Sequence, residues 1–508
     1  MGRPLLIRFL LLFYLVLYLL FPTQNSSLDA YYYGACIRYG NDLFLPHHLL
    51  YNATCYLLLL PLKLLAPQLD ELTVLKMLNA LFAAGSLWVL AKLLQRLQLP
   101  AGTQIGWIML AGSSFGVWRF ATENEVYLLP ILLSLAGSYG WVKYVQQPKN
   151  AYLVWSGLFA ALACLYHQLH VFWWLGLLLG LVWQFRSFKV VLLFGLPALL
   201  VPLVYVLVLV WYLGQALQVQ RLLAFVLHDF YAGSAGTSIG VLNFVLSGVS
   251  FVRTFVQVHG LMLYLPGRSW WWLLPALVTV GLLVWAVLRQ PLQKRKTASS
   301  ESLLVGKVHL LILLLHLGFA WFAVGNVEFM VMVPFLLPLL PWLPFSGLFL
   351  QKTGAAFLIW NFWYGIFPAW HFQLSPSSHL VEIVHRHPES LFVLNEALLV
   401  RNAYYYRYGV KDVPRVQKSP SQLAARPAGT EELARTLEER LQAEPANGVL
   451  TDCIRKANVI NRASIVSEDR DKAFFRPYHA TPVDSFRTIY GTHYLHQLKP
   501  LPHGQAGQ

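Results

Sequence analysis

The chain has 508 residues, of which 57% are hydrophobic and only 12% charged, and its mean hydropathy is +0.53. Apolar runs near the length of a bilayer crossing recur from the N-terminus to about residue 370, more than one soluble core would need. A soluble globular protein is therefore excluded. The formal charge of +15 is no nucleic-acid footprint either, because the basic residues fall in short patches between apolar runs, the pattern of cytoplasmic loops.

The N-terminal stretch MGRPLLIRFLLLFYLVLYLLFPTQ carries Arg3 and Arg8 at its start and no small-residue cleavage site after it. It reads as an uncleaved first span with the N-terminus in the cytoplasm. Spans are expected at 5–21, 73–91, 103–119, 126–144, 151–165, 168–184, 189–212, 270–288, 306–323, 328–347 and 353–370. Under this alternation Lys92, Arg96, Lys143, Lys149, Arg186, Lys189, the linker RQPLQKRK (289–296) and Lys352 all lie on one side, which the positive-inside rule makes the cytoplasm.

Two apolar segments interrupt the alternation. LLYNATCYLLLLPLKLLA (49–66) is broken by Asn52 and Pro61 and carries Lys63; the segment 243–266 carries Arg253, Gln257 and His259. Both read as interfacial or re-entrant helices on the extracytoplasmic side. The alternative is that both cross, which leaves the total at about 11–13 spans.

Composition changes at His371. SLFVLNE (390–396) reads as a strand, EALLVRNAYYYRYG as a helix ending at Gly409, and KSPSQLAARPAG as a linker. TEELARTLEERLQA reads as an amphipathic helix with Thr430 as its N-cap, and GVLTD as a strand. The expectation is an α-helical polytopic membrane domain over 1–370, with extracytoplasmic loops 22–72 and 213–269, followed by a small α/β domain over 371–508. The odd number of spans puts that domain outside the cytoplasm. The four cysteines, Cys36, Cys55, Cys164 and Cys453, have no metal spacing; Cys36 and Cys55 could pair if their loop is extracytoplasmic.

The unusual polar residues collect at the outer turns. The first loop holds Asp29, Arg38, Asp42, His47, His48 and Tyr51; the second turn, ATENEVYLLP, holds Glu123 and Glu125 just beyond Arg119; the third holds His167, Gln168 and His170. Arg221, His228, Asp229, Arg253, His259 and Arg268 occupy the fourth loop, and Asn326 and Glu328 the fifth. Each has a plain structural reading. Asp29 could bond its own backbone, Glu123 could cap the next helix, His47 and His48 could be unliganded interfacial residues, His167 and His170 could be packing donors, and Arg253 and Arg268 could meet lipid phosphates. Ionisable groups at membrane depth are costly, however, and their convergence on one side points to a cavity or pathway.

The order of Asp29 after a short first span, then PHHLLYN, then ENEVY at a later outer turn resembles polytopic GT-C glycosyltransferases, and looks closest to the protein O-mannosyltransferase-like branch. The similarity covers most of 1–185, is looser across 186–370 and is faint in the tail. The resemblance implies transfer of a sugar from a polyprenyl-phosphate-linked donor to a hydroxyl of a protein or glycan acceptor at the extracytoplasmic face, with a bacterial inner membrane as the expected location.

On that reading Asp29 is the base that deprotonates the acceptor. Arg119, Arg253, His259 and Arg268 meet the donor phosphate. Arg38, His47, His48, Tyr51 and His167 line the sugar or acceptor. Glu123 and Glu125 position the acceptor or, with Asp29, help bind a divalent cation. Asp29 stands alone where many such enzymes carry an acidic pair, so a non-catalytic scaffold stays open. So does a transporter of lipid-linked sugars, although no internal symmetry supports one.

Overall fold

The computed structural model describes residues 3–232, 236–258, 261–290, 299–424, 427–443, 448–454 and 468–500. His259 and the basic linker from residue 291 onward lie outside the described residues. The chain divides into two compact units. One comprises Met1–Pro22, Gly40–Val258 and Arg268–Phe367; the other comprises Thr23–Tyr39, His259–Gly267 and Pro368–Gln508. The expected division at residue 370 is thus redrawn: the segment right after the first span and a piece of the fourth loop group with the tail, not with the membrane part.

The first unit is helical. Six helices among the described residues are long and apolar enough to cross a membrane: Glu71–Arg96, Leu128–Gln146, Gln168–Phe185, Phe188–Tyr212, Trp270–Leu288 and Ser300–Phe322. Glu71–Arg96 starts at Asp70, whose carboxylate accepts the Thr73 N–H at 3.0 Å, a conventional N-cap. Other expected spans are shorter or broken. The 103–119 run splits at Ser114 into Ala101–Ser113 and Phe115–Ala121, and 328–347 becomes a series of short turns over Val327–Leu339. Trp270–Leu288 keeps most of its apolar side chains exposed, including Leu277, Val287 and Leu288, as a helix facing lipid does.

The two ambiguous segments form short helices. Tyr51–Leu65 has 15 residues and Leu242–Phe255 has 14. At 1.5 Å per residue these reach about 21–22 Å, short of the ~30 Å hydrocarbon core. The second ends where Val256 turns extended (φ −133°), so 243–266 is not one continuous span. Lys63, an awkward charge for a crossing, pairs with the buried Glu71.

Small residues bring helices into backbone contact. A Cβ on Gly347 would lie 2.6 Å from the carbonyl carbon of Gly102, and one on Gly106 would overlap Leu350. Helices Ala101–Ser113 and Gly347–Asn361 therefore pack as closely as backbones allow, the usual device where no hydrophobic effect separates helix from lipid.

The second unit carries a five-stranded sheet of order β2-β1-β3-β5-β4, with β1 Leu391–Leu394, β2 Val416–Lys418, β3 Val449–Thr451, β4 Tyr478–Thr488 and β5 Gly491–Pro500. β1 pairs in parallel with β2 and β3, and β5 is antiparallel to β3 and β4. The unbroken apolar run LFVL is explained by burial on both faces. Phe392 and Leu394 pack with Leu380, Val384 and Val400; Leu391 and Val393 pack with Leu433, Leu437 and Leu441. Helix Ala397–Tyr408 ends at Gly409, whose φ of +76° gives the left-handed C-cap. Thr430 is not an N-cap, because the helix starts three residues earlier at Pro427, a residue suited to a first turn. All four cysteines are buried and outside any disulfide, so Cys36 and Cys55 are not bridged to each other.

Helix Leu28–Tyr39 belongs to this second unit and lies against Ala397–Tyr408. Tyr39 stacks on Tyr405 at 5.7 Å, Asn402 Nδ2 donates to the Leu28 carbonyl at 3.0 Å, and Asn25 donates to the carbonyls of Ala369 and Phe372, each at 2.8 Å.

Candidate functional site

In the membrane unit, the acidic turn ENEVY is built by a buried polar residue of the preceding long helix. Asn79 is fully buried, and its Nδ2 donates to the backbone carbonyls of Glu123 at 2.7 Å and Glu125 at 2.8 Å. The Glu123 carboxylate accepts the Asn124 N–H at 2.9 Å and lies 3.9 Å from Lys76, one turn before Asn79. Tyr51 donates to Asn124 Oδ1 at 3.0 Å. Both glutamates are buried, at 4% and 3% exposure. The following helix begins at Leu128 without a side-chain cap, so Glu123 is not its cap. Beyond the turn, Tyr127 donates to Glu328 at 2.8 Å. The only group of three metal-capable side chains among the described residues contains neither Glu123 nor Glu125.

A row of imidazoles runs through this unit. Ring-centre separations are 6.3 Å for His228–His47, 5.9 Å for His47–His48, 5.7 Å for His48–His167, 6.3 Å for His167–His170 and 6.2 Å for His170–His316. Burial, followed by the nearby His167 and His47, holds the pKa of His48 well below the ordinary histidine value. Burial, then His47 and His316, holds His167 down to about 3. Both rings are neutral at pH 7, so they are hydrogen-bonding groups and not phosphate-binding cations. Deeper in, His170 Nδ1 meets Ser134 Oγ at 2.7 Å. His309 Nδ1 donates to the Val305 carbonyl at 2.8 Å, while its Nε2 meets Ser138 Oγ at 2.9 Å.

Two cations come together at a helix contact. Phe115–Ala121 carries Arg119 and Leu242–Phe255 carries Arg253. The helices meet where a Cβ on Gly116 would touch the Thr254 carbonyl at 3.4 Å. Arg253 is half-buried, and burial together with the charge of Arg119 lowers its pKa. Two guanidinium groups within mutual electrostatic reach suit an anion bridging them. Arg268 is exposed at the end of helix Leu261–Arg268.

In the second unit, Asp29 is exposed in the first turn of helix Leu28–Tyr39, a position the helix dipole favours for a carboxylate. It is a helix residue, not part of an irregular loop. Arg38 in the last turn lies 4.0 Å over the Tyr406 ring and donates to the Tyr406 carbonyl at 3.1 Å, so it braces helix Ala397–Tyr408.

Sequence reasoning passed over Asn79, Lys76, His309 and His316. A signal existed: each is a polar residue inside an apolar helix, and His309 and His316 are two turns apart on one face.

No protein-family model matches the chain, and a comparison with curated proteins returns no match. Among solved structures it aligns with the crystal structure of ArnT from Cupriavidus metallidurans in the apo state, at 12% identity and a TM-score of 0.40, covering 97% of each chain. That likeness is too slight to assign a family or an activity.

Proposed function

We propose that this protein is a membrane glycosyltransferase that moves a sugar from a polyprenyl-phosphate donor to an acceptor hydroxyl at the extracytoplasmic face. The observation that carries the reading is the placement of Arg119 and Arg253 on two helices that touch at Gly116 and Thr254, in a unit whose long helices otherwise present apolar surface. A lipid phosphate is an anion that such a unit would meet at headgroup depth. Charge-assisted, bidentate contacts from two arginines would stabilise the phosphate as it departs with its extra negative charge.

The rest of the chemistry follows from side-chain type. The neutral His48 can bond a sugar hydroxyl, and His167, whose Nδ1 accepts the Leu169 N–H at 3.2 Å, can donate to one from Nε2, neither competing for the phosphate. The preorganised ENEVY turn offers two buried carboxylates as acceptors for acceptor hydroxyls. Asp29 is the proposed base, a role implied by the family resemblance and by its carboxylate; deprotonating the attacking hydroxyl makes it nucleophilic toward the anomeric carbon. The order of Asp29, PHHLLYN and ENEVY supports the GT-C reading.

The test uses the purified full-length chain with polyprenyl-phospho-sugars radiolabelled in the sugar. Release of the polyprenyl phosphate with transfer of label to acceptor or water is expected. Movement of intact donor across vesicles without cleavage would replace the transferase with a transporter, and neither cleavage nor movement would leave a scaffold.

A further inference from the structure

We infer that His47, His228 and Asp229 form a binding site for a divalent transition cation of the zinc type. His47 Nε2 lies 3.0 Å and His228 Nδ1 3.3 Å from the same oxygen, Asp229 Oδ1, and the three ligand atoms lie within 4.8 Å of one another. In a tetrahedral zinc site with bonds of about 2.0–2.1 Å, neighbouring donor atoms are ~3.3 Å apart. Small side-chain movements would let one ion replace the two His–Asp contacts. Two imidazoles and one carboxylate are a borderline-hard donor set that suits zinc and its neighbours better than magnesium or calcium, and three protein ligands leave a fourth position open.

The plain alternative is a pair of solvent-exposed His–Asp hydrogen bonds, worth little by themselves. What separates the site from that alternative is its support. His47 sits in the turn Pro46–His48 and the other two ligands at the start of His228–Tyr231. One buried-side amide ties both segments together: Gln168 Nε2 lies 3.0 Å from the Pro46 carbonyl, 2.8 Å from the Val226 carbonyl and 2.9 Å from the Tyr205 hydroxyl. Tyr205 in turn donates to Pro46 O at 2.6 Å. Beneath them Leu49, Leu165 and Tyr205 pack with Phe225 and Val226. The carbonyl just before His47 and the carbonyl two residues before His228 are therefore both held by Gln168, the first by Tyr205 as well. Such outer supports fix ligand direction and commonly govern metal affinity by about 10–100-fold. The ligands themselves remain accessible, with side-chain exposure of 27% for His47, 58% for His228 and 43% for Asp229, so an ion can enter without unfolding.

The experiment is an equilibrium titration of chelator-stripped, full-length protein in detergent with Zn2+, repeated with Co2+, whose visible absorption reports low coordination number. Wild type is expected to take up one ion per chain. His228→Gln, at an exposed ring, and Asp229→Asn, at a half-buried carboxylate, should each weaken Zn2+ binding by tenfold or more. Gln168→Leu should weaken it although all three ligands remain. No saturable binding by wild type, or equal binding by wild type and the His228→Gln and Asp229→Asn variants, would overturn the site. The measurement uses no sugar donor, so its failure and the failure of the transferase reading are independent.

Discussion

Replacing Asn79 by leucine tests whether the acidic turn is held by the helix beneath it. Leucine fills nearly the same volume and removes both amide N–H groups. The carbonyls of Glu123 and Glu125, now served at 2.7 and 2.8 Å, would face an apolar side chain in a buried site. A buried acceptor stripped of its donor costs about 1–3 kcal/mol, so the pair should cost about 2–6 kcal/mol and, in a chain of this length, lower the apparent melting temperature in detergent by roughly 2–6 °C. Ser86→Ala is the matched control. Ser86 is equally buried on the same helix, but its hydroxyl bonds only the Phe82 carbonyl four residues back, at 2.8 Å, a local contact whose loss should cost less than about 1 kcal/mol. If Asn79→Leu melts with the Ser86→Ala protein, the two carbonyls do not depend on Asn79 and the account of the turn is wrong.

Asp29→Asn should lower donor turnover by about a hundred- to ten-thousandfold with the melting curve unchanged; near-normal turnover removes Asp29 as the base. Arg253→Lys should weaken donor use more than it weakens stability, because an ammonium cannot reproduce a bidentate guanidinium contact; donor titrations identical for wild type, Arg253→Lys and Arg253→Ala would end the phosphate clamp. The His167 pKa of about 3 lies below the ordinary ~6.5 of the unfolded chain, so the unfolded state binds the extra proton first. Its effect on stability is nil above pH 6.5 and grows as pH falls toward 3, reaching about 2 kcal/mol at pH 5. A His167→Gln protein should lose less stability than wild type between pH 7.5 and 5, and equal losses would contradict the assignment. A cysteine introduced at the exposed Glu431 should react with an impermeant reagent in intact cells, the native cysteines being buried; reaction only after lysis would reverse the proposed orientation.

Much of the architecture was legible because hydropathy is a local property. The long apolar helices, the interruption of 243–266, the strand LFVL and the glycine-capped helix before Gly409 can all be read from runs and spacings in one stretch of chain. The strands of the final hairpin were not, because YHATPVDSFRT and GTHYLHQLKP mix polar and apolar residues around a register shift between Pro482 and Asp484, which blurs the period-two pattern.

The sequence by itself determined a polytopic helical protein with an α/β tail, and it marked the residues at the turns as unusual, since burying charge in lipid is costly wherever the chain then goes. Only the tertiary structure decided what those residues meet. That Asn79 serves the carbonyls of Glu123 and Glu125, that Arg119 and Arg253 share one helix contact, and that Gln168 ties the segment of His47 to that of His228 and Asp229 depends on helix packing between distant parts of the chain. Local pattern carries no record of those crossings, because a side chain's spacing along its own helix sets the face it occupies but not the partner helix that face will find.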